Sequence, residues 1–194
     1  MKVVLASGNA GKVKEFMQML SGVGMDVHPQ SEFNVSDADE TGLTFVENAI
    51  LKARHAAEIT GLPSFADDSG IEVDALNGQP GIYSARYAGI GAGAAACNEK
   101  LLEALKGVPE AERTARFRCC IVMMRHAADP SPIIAEGSLE GRIVEQPTGA
   151  EGFGYDPLFF VPSHNMTAAE MDPAEKNKIS HRGIALKALL EQLQ

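Results

Sequence analysis

The run from Glu112 to Met124 alternates with a period of two. Phe117, Cys119, Ile121 and Met123 fall on one face of a long strand, and Arg116, Arg118, Cys120, Val122 and Met124 on the other. A strand whose second half is apolar on both faces belongs inside a covered sheet. Ile133–Leu139, Gly141–Val144 and Leu158–Val161 read as further strands of a sheet that is mixed in direction. The start of the chain supplies the other ingredient. Lys2 to Ala6 is a β-branched, apolar strand, Ser7-Gly8-Asn9-Ala10-Gly11 is a turn, and Val13, Phe16, Met17 and Leu20 recur at helical spacing. This strand, loop and helix aim backbone amides and the positive end of a helix dipole at one point, which suits an anion. Lys12 stands at the helix start. The loop is not a Walker A motif, because Gly8 and Gly11 are too close and Val13 follows the lysine.

Charge and cysteine content narrow the classes. With a formal net charge of -9 and singly scattered basic residues, the chain lacks the Lys/Arg cluster of a nucleic-acid binder. An acidic protein that handles a small anion must gather a few cations at one place or bring in a metal. The three cysteines, Cys97, Cys119 and Cys120, form no Cys-x-x-Cys unit and fit buried thiols in a reducing compartment. No run approaches a membrane span, and Met1-Lys2-Val3-Val4-Leu5 leads into the glycine turn without a signal-peptide pattern, so the expectation is a cytoplasmic protein. The 194 residues suffice for one well-cored domain or two small lobes, and the chain reads as a single domain over 1–194.

The residues most in need of a chemical reason are Phe65-Ala66-Asp67-Asp68-Ser69-Gly70. Ser64-Phe65-Ala66 and Ile71-Glu72-Val73 read as strand, which places the acidic pair at or near the end of a sheet. Two adjacent carboxylates there call for a cation, or else form a solvated Asp-Asp-Ser-Gly turn. Upstream, Val35 to Glu40 is an acidic loop, and Thr44-Phe45-Val46-Glu47 has capping-box spacing, so Glu47 serves the helix that follows to about Ile59. Phe45, Ala49, Lys52 and Ala56 share one face of that helix. Lys52 interrupts it, either snorkelling to solvent or directed at the same anion as Lys12.

The chain beyond Gly78-Gln79-Pro80-Gly81 holds an aromatic and basic segment, then a loop at Gly89–Gly93, then a helix from Ala95 to Lys106. Glu151-Gly152-Phe153-Gly154-Tyr155-Asp156 sets two aromatics between glycines, accessible to a flat ligand or packed on the core, with Asp156 near enough to fix a hydrogen-bonding edge. Thr167–Glu170 is a second capping box. Ser180 caps an end helix lined by Ile184, Leu186, Leu189 and Leu190, and His181 and Arg182 then lie in its first turn, against the helix dipole.

Seven groups of residues, in order, resemble the inosine triphosphate pyrophosphatase family. They are Ser7-Gly8-Asn9 with Lys12; Glu40-Thr41-Gly42; Phe45-x-Glu47-Asn48-Ala49 with Lys52; Ala66-Asp67-Asp68-Ser69-Gly70; Pro80 to Tyr87; Phe153-Gly154-Tyr155-Asp156-Pro157; and Ser180-His181-Arg182-Gly183. The resemblance spans nearly the whole chain. It implies an α/β fold with a long mixed sheet flanked by helices, two lobes and a central active-site cleft, and a homodimer. It also implies Mg²⁺-dependent hydrolysis of atypical purine nucleoside triphosphates, those of inosine, deoxyinosine and xanthosine, to the monophosphate and pyrophosphate.

Under that resemblance Asp68 is the catalytic base and a metal ligand, and Glu40 shares the metal. Ser7, Gly8, Asn9, Ala10, Gly11, Lys12 and Lys52 hold the phosphates, and Ser69 adds a substrate hydrogen bond. Asp67 is either a supporting carboxylate behind the site or a ligand, and Asp68 either takes the proton itself or positions a metal-bound water. Phe153 stacks on the base with Gly154, Tyr155 and Asp156 beside it, and Lys176 hydrogen-bonds it. His181 and Arg182 donate to the O6 acceptor that hypoxanthine and xanthine carry where adenine carries an amino group. A nucleotide-binding regulatory module that senses a triphosphate without cleaving it is the alternative; it needs Lys12 and Lys52 but has little use for Asp68. A haloacid-dehalogenase-type phosphatase is ruled out by Ser69, which stands where its second aspartate belongs.

Overall fold

The computed structural model describes residues 2–21 and 23–194; Met1 and Gly22 lie outside the described residues. Among the described residues, β1 (Lys2–Leu5), α1 (Ala10–Leu20), β2 (Asp26–Pro29), α2 (Phe45–Thr60) and β3 (Ser64–Val73) come first. They are followed by α3 (Gly93–Ala104), β4 (Thr114–Met124), β5 (Ile133–Ile143), β6 (Phe159–Val161), β7 (Met166–Thr167), α4 (Pro173–Ile179) and α5 (His181–Gln192). The seven strands form one sheet in the order β2-β1-β3-β4-β5-β6-β7. β1 pairs in parallel with β2 and β3, and β6 pairs antiparallel with β5 and β7, so the sheet is mixed as expected. No described helix is long and apolar enough to cross a membrane.

The chain divides into two compact units. The first comprises the residues up to Asp68 with Cys119–Gly137 and Arg182–Gln194; the second comprises Ser69–Arg118 and Ser138–His181. In the first unit, strand alternation feeds two apolar layers. Val3, Leu5, Phe65, Cys119, Ile121 and Met123 meet Phe16 and Leu20 of α1 and Leu186 and Leu189 of α5. Val4, Ala6, Ala66, Cys120, Val122 and Met124 meet Ala49, Ala53 and Ala56 of α2. The alanines let α2 lie close to its layer. All three cysteines are buried thiols. The second unit has one core, in which Ile71, Val73, Leu101, Leu105, Phe117, Ile143, Leu158 and Phe159 gather.

Four expectations are corrected. α1 begins at Ala10, so Ala10 and Gly11 belong to the helix, because the Asn9 side chain accepts the Lys12 amide and closes the first turn there. β5 is one strand through Gly141, which does not break it: a Cβ there would stand 2.6 Å from the Phe159 ring, and glycine is what lets β6 approach. α3 starts at Gly93 and ends at Ala104. Ile184 is 40% exposed, and Ala185 takes the buried place on α5.

Candidate active site

Asp67 and Asp68 lie within β3 and not in a turn, just beyond Phe65, where the parallel pairing of β3 with β1 ends, so they stand near the end of that part of the sheet as expected. Turn propensity favoured the local reading, but β3 runs on through Val73 beside β4, and the backbone pairing that decides a strand is non-local. Side chains 67 and 68 leave the strand on opposite faces. Phe65 and Asp67 face α1 and α5, whereas Ala66 and Asp68 face α2. Both carboxylates are buried, at 1% and 5% exposure, and buried carboxylates persist only with partners.

On the α2 face, Thr44 caps the helix by accepting the Glu47 amide, and Glu47 accepts from Thr44 Oγ1 and Leu43 N. Glu47 is therefore the structural residue its spacing suggested. Asn48 and Lys52 are four apart on α2 and project together. Lys52 Nζ donates to Asp68 Oδ1 at 2.8 Å and stands 3.3 Å from Glu40 Oε1. It neither snorkels to solvent nor waits unpaired for an anion. Asn48 Nδ2 donates to Asp68 Oδ2 at 3.4 Å, while Asn48 Oδ1 accepts from Gly42 N at 2.8 Å, which ties the segment after Glu40 to the aspartate. Burial raises the Asp68 carboxyl from its ordinary value, against the pull of Lys52 and Lys12, and Glu40 adds to the rise. Burial draws Lys52 down, but Asp68, Asp67 and Glu40 outweigh it, and the ammonium is held charged.

On the other face, Lys12 Nζ meets Asp67 Oδ2 at 3.0 Å. Arg182 is 2% exposed; its Nη1 donates to Glu15 and its Nη2 stands 3.6 Å from the same Asp67 oxygen. Glu15 and Asp67 thereby answer the conflict between Arg182 and the dipole of α5. Burial raises Asp67, but the charges of Lys12 and Arg182 outweigh it and hold the carboxyl well below its ordinary range. Cys119 Sγ lies 4.0 Å from Asp67, and burial followed by that carboxylate pushes the thiol well up, so it is inert as a nucleophile. In the loop ahead of α1, Ser7 Oγ accepts from Asn9 N at 3.3 Å, and Gly8, Asn9 and Ala10 are exposed. The Asp37 carboxylate, held by Gln30 at 2.7 Å, lies against Gly8.

The second unit carries the aromatic group. Asp156, 3% exposed, accepts from Phe153 N and from Lys176 Nζ, both at 2.8 Å. It folds against Gly152, whose φ of +78° and lack of a Cβ make room for the carboxylate. Lys176 Nζ lies 5.4 Å from the centre of the half-buried Phe153 ring. Tyr155 is different. It is buried, and its hydroxyl donates to Ser84 O at 2.7 Å, so this aromatic packs on the core and is not open to a flat ligand. Gly154 O accepts from Asn98 Nδ2 at 3.1 Å. His181 is buried and stacks on Phe117 at 4.8 Å and 18°. Ser69 is half-buried.

The oxygen-only pair Glu40 and Asp68, joined through Lys52, is a donor set suited to a hard divalent cation, which keeps several waters and takes one or two protein carboxylates. Among the described residues, no three of His, Cys, Asp and Glu come together as a closed metal cage. Asp67 leaves β3 on the other face, toward Lys12 and Arg182. Sequence reading missed Asn48 and Glu15 as members of the site; the signals were their spacings, four before Lys52 and three after Lys12 on the same helices.

Fold and site define an α/β protein whose central strand presents two carboxylates, each to a different helix-borne lysine, with side chains fit for an anion and a cation. The profile of the Ham1 family matches residues 3–192. A dITP/XTP pyrophosphatase of Thioalkalivibrio sulfidiphilus (strain HL-EbGR7) is 64% identical over 194 residues, spanning 100% of this chain and 99% of its own. The dITP/XTP pyrophosphatase of Escherichia coli O157:H7 is 59% identical over 193 residues, spanning 100% and 98%. A HAM1 protein structure from Coxiella burnetii superposes with a TM-score of 0.92 at 52% identity, covering 100% of this chain and 98% of its own. This chain belongs to the Ham1 family. The resemblance drawn from the motif groups is borne out.

Proposed function

We propose that this protein hydrolyses inosine, deoxyinosine and xanthosine triphosphates to the monophosphate and pyrophosphate, and so clears atypical purines from the nucleotide pool. The observation that carries the reading is the full-length identity of 64% to a protein named dITP/XTP pyrophosphatase. The geometry supports the roles. Water attacks the α-phosphorus, the bond to the bridging oxygen breaks, pyrophosphate leaves, and the proton of the water passes to Asp68. A carboxyl drawn upward by burial is a better proton acceptor than an ordinary aspartate, as this step requires. Lys12 and Lys52, with the loop Ser7 to Gly11, take the phosphates while their carboxylate partners hold the two ammonium groups in place.

Glu40 and Asp68 would hold Mg²⁺. Bound there, the cation neutralises triphosphate charge and makes water more acidic. Base recognition belongs to Phe153 by stacking, to Lys176 and Asp156 beside it, and to His181 and Arg182 as donors to O6. Adenine would face those donors with an amino group, a mismatch of buried polar groups worth on the order of 10⁴ in discrimination. Tyr155 and Gly154 contribute by shaping the loop, and Ser69 by a substrate hydrogen bond. The reading extends to a cytoplasmic homodimer acting on free nucleotides, and sedimentation tests the dimer.

The deciding experiment is product analysis over a panel of inosine, deoxyinosine, xanthosine, adenosine and guanosine triphosphates with and without Mg²⁺. Pyrophosphate and monophosphate from the first three, dependent on the metal, are expected. Orthophosphate release, or binding without turnover, sinks the reading.

A further inference from the structure

The geometry points to Asp67 as a positioning residue: one buried carboxylate that sets Lys12 of α1 and Arg182 of α5 in place together and takes neither proton nor metal in the reaction. The inference deepens the proposed function and rests on its reading of Lys12, Lys52 and Arg182. Asp67 has a side chain that is 0% exposed, and it projects from the face of β3 opposite Asp68. Its direct ion pairs thereby lie away from Glu40 and Asp68, and it acts on Lys52 only through space. Its Oδ2 serves both cations, Lys12 at 3.0 Å and Arg182 at 3.6 Å, while its Oδ1 is buried without a hydrogen-bond partner among the described residues. The other end of the guanidinium meets Glu15, which stands three residues after Lys12 on the same face of α1. Lys12, Arg182, Asp67 and Glu15 thus form a neutral set of two cations and two carboxylates on one sheet face.

That set explains how two flexible side chains are held before substrate arrives. The Lys12 side chain keeps 14% exposure and remains open to an incoming anion, whereas Arg182 keeps 2%. One oxygen fixes both, so the phosphate contact and the base contact share a single support. Loss of a buried charge partner is costly because the remaining charge is left uncompensated, and a misplacement of about 1 Å in a positioned group costs about 10²-fold in rate.

The test is a pair of double-mutant cycles on pyrophosphate release from deoxyinosine triphosphate, with kcat and KM separated. Asp67→Asn should lower kcat/KM about 100-fold and reduce the preference over deoxyadenosine triphosphate about tenfold. Lys12→Met should then cost at least about tenfold less in the Asp67→Asn background than in the wild type, while Lys52→Met costs the same in both within about threefold. Multiplicative effects of Asp67→Asn and Lys12→Met overturn the inference, and so does equal coupling to both lysines. If Asp67→Asn fails to fold, Asp67→Asn with Arg182→Gln restores the charge balance, and the same cycles are run against Arg182→Gln alone. If the wild type cleaves no purine triphosphate, the functional reading falls. The cycles are then read by urea unfolding, where stronger coupling of Asp67 to Lys12 than to Lys52 supports the brace, and equal coupling or additivity overturns it.

Discussion

Asp67 and Asp68 are consecutive in β3, yet their carboxylates leave the strand on opposite faces and meet different lysines, Lys12 at 3.0 Å and Lys52 at 2.8 Å. Their proton affinities part accordingly. The charges of Lys12 and Arg182 hold Asp67 well below the usual range, whereas burial raises Asp68 from its ordinary value. Two adjacent residues of one type are given two environments by a strand's period of two.

Asp68→Asn should abolish the proton acceptor while keeping shape and most of the phosphate contacts. A loss of about 10²–10⁴ in kcat is expected, with binding of a non-hydrolysable inosine triphosphate analogue retained by calorimetry. A variant with near wild-type turnover would remove Asp68 from the chemistry. The acid side of the wild-type pH–rate profile should also lie above that of an ordinary aspartate, because activity is lost as pH falls through the raised pKa.

Asn48 is 0% exposed and bridges Asp68 and the backbone of Gly42. Asn48→Ala strands the Gly42 amide and loosens the segment that carries Glu40. A loss of about 1–3 kcal/mol in urea unfolding is expected, together with a higher Mg²⁺ requirement for activity. Asn48→Asp places a like charge beside Asp68 and should move the acid limb of the pH–rate profile to higher pH. An unchanged metal requirement in Asn48→Ala would show that Glu40 does not depend on this bridge.

The helix of Lys52 and the two-faced strand of Ile121 were legible because their periodicity spans many residues and survives any tertiary context. The acidic pair was not, since Asp, Ser and Gly carry local turn signals and only neighbouring strands overrule them. Phe153 and Tyr155 look alike between their glycines. What separates them is Ser84, distant in sequence, whose carbonyl captures the tyrosine hydroxyl at 2.7 Å. Arg182 stood out as a cation at the wrong end of a helix, but its partners Glu15 and Asp67 come from α1 and β3, and although Glu15 stands one turn from Lys12, nothing near Arg182 in sequence joins it to either.

Gly141 is a packing glycine. A Cβ there would overlap the Phe160 carbonyl and stand 2.6 Å from the Phe159 ring, and backbone cannot yield as a flexible side chain does. Gly141→Ala should cost about 1–3 kcal/mol by overpacking in urea unfolding. Because the damage lies in the second unit's core, the KM for the triphosphate should change less than stability does. Stability equal to wild type would mean that β5 and β6 can separate at little cost.

His28 lies on β2 with both ring nitrogens engaged, Nδ1 with Glu32 at 2.7 Å and Nε2 with Asp26 at 2.9 Å. Two carboxylates can accept from both nitrogens only when the ring is protonated. The Glu32 hydrogen bond raises the His28 pKa most, a slight burial opposes it, and Asp26 adds to the rise. The sign follows from linkage: a folded-state pKa above the unfolded value of 6.5 stabilises fully below 6.5 and loses that contribution as pH rises through the folded value. The melting temperature of the wild type relative to His28→Gln, followed from about pH 5 to about pH 9, should therefore show its largest advantage at the acid end and lose it toward the alkaline end. Asp26 and Glu32 are more than half exposed, so the advantage should shrink in high salt. A difference that is flat with pH, or that grows toward alkaline pH, would mean that the ring is not held as an imidazolium.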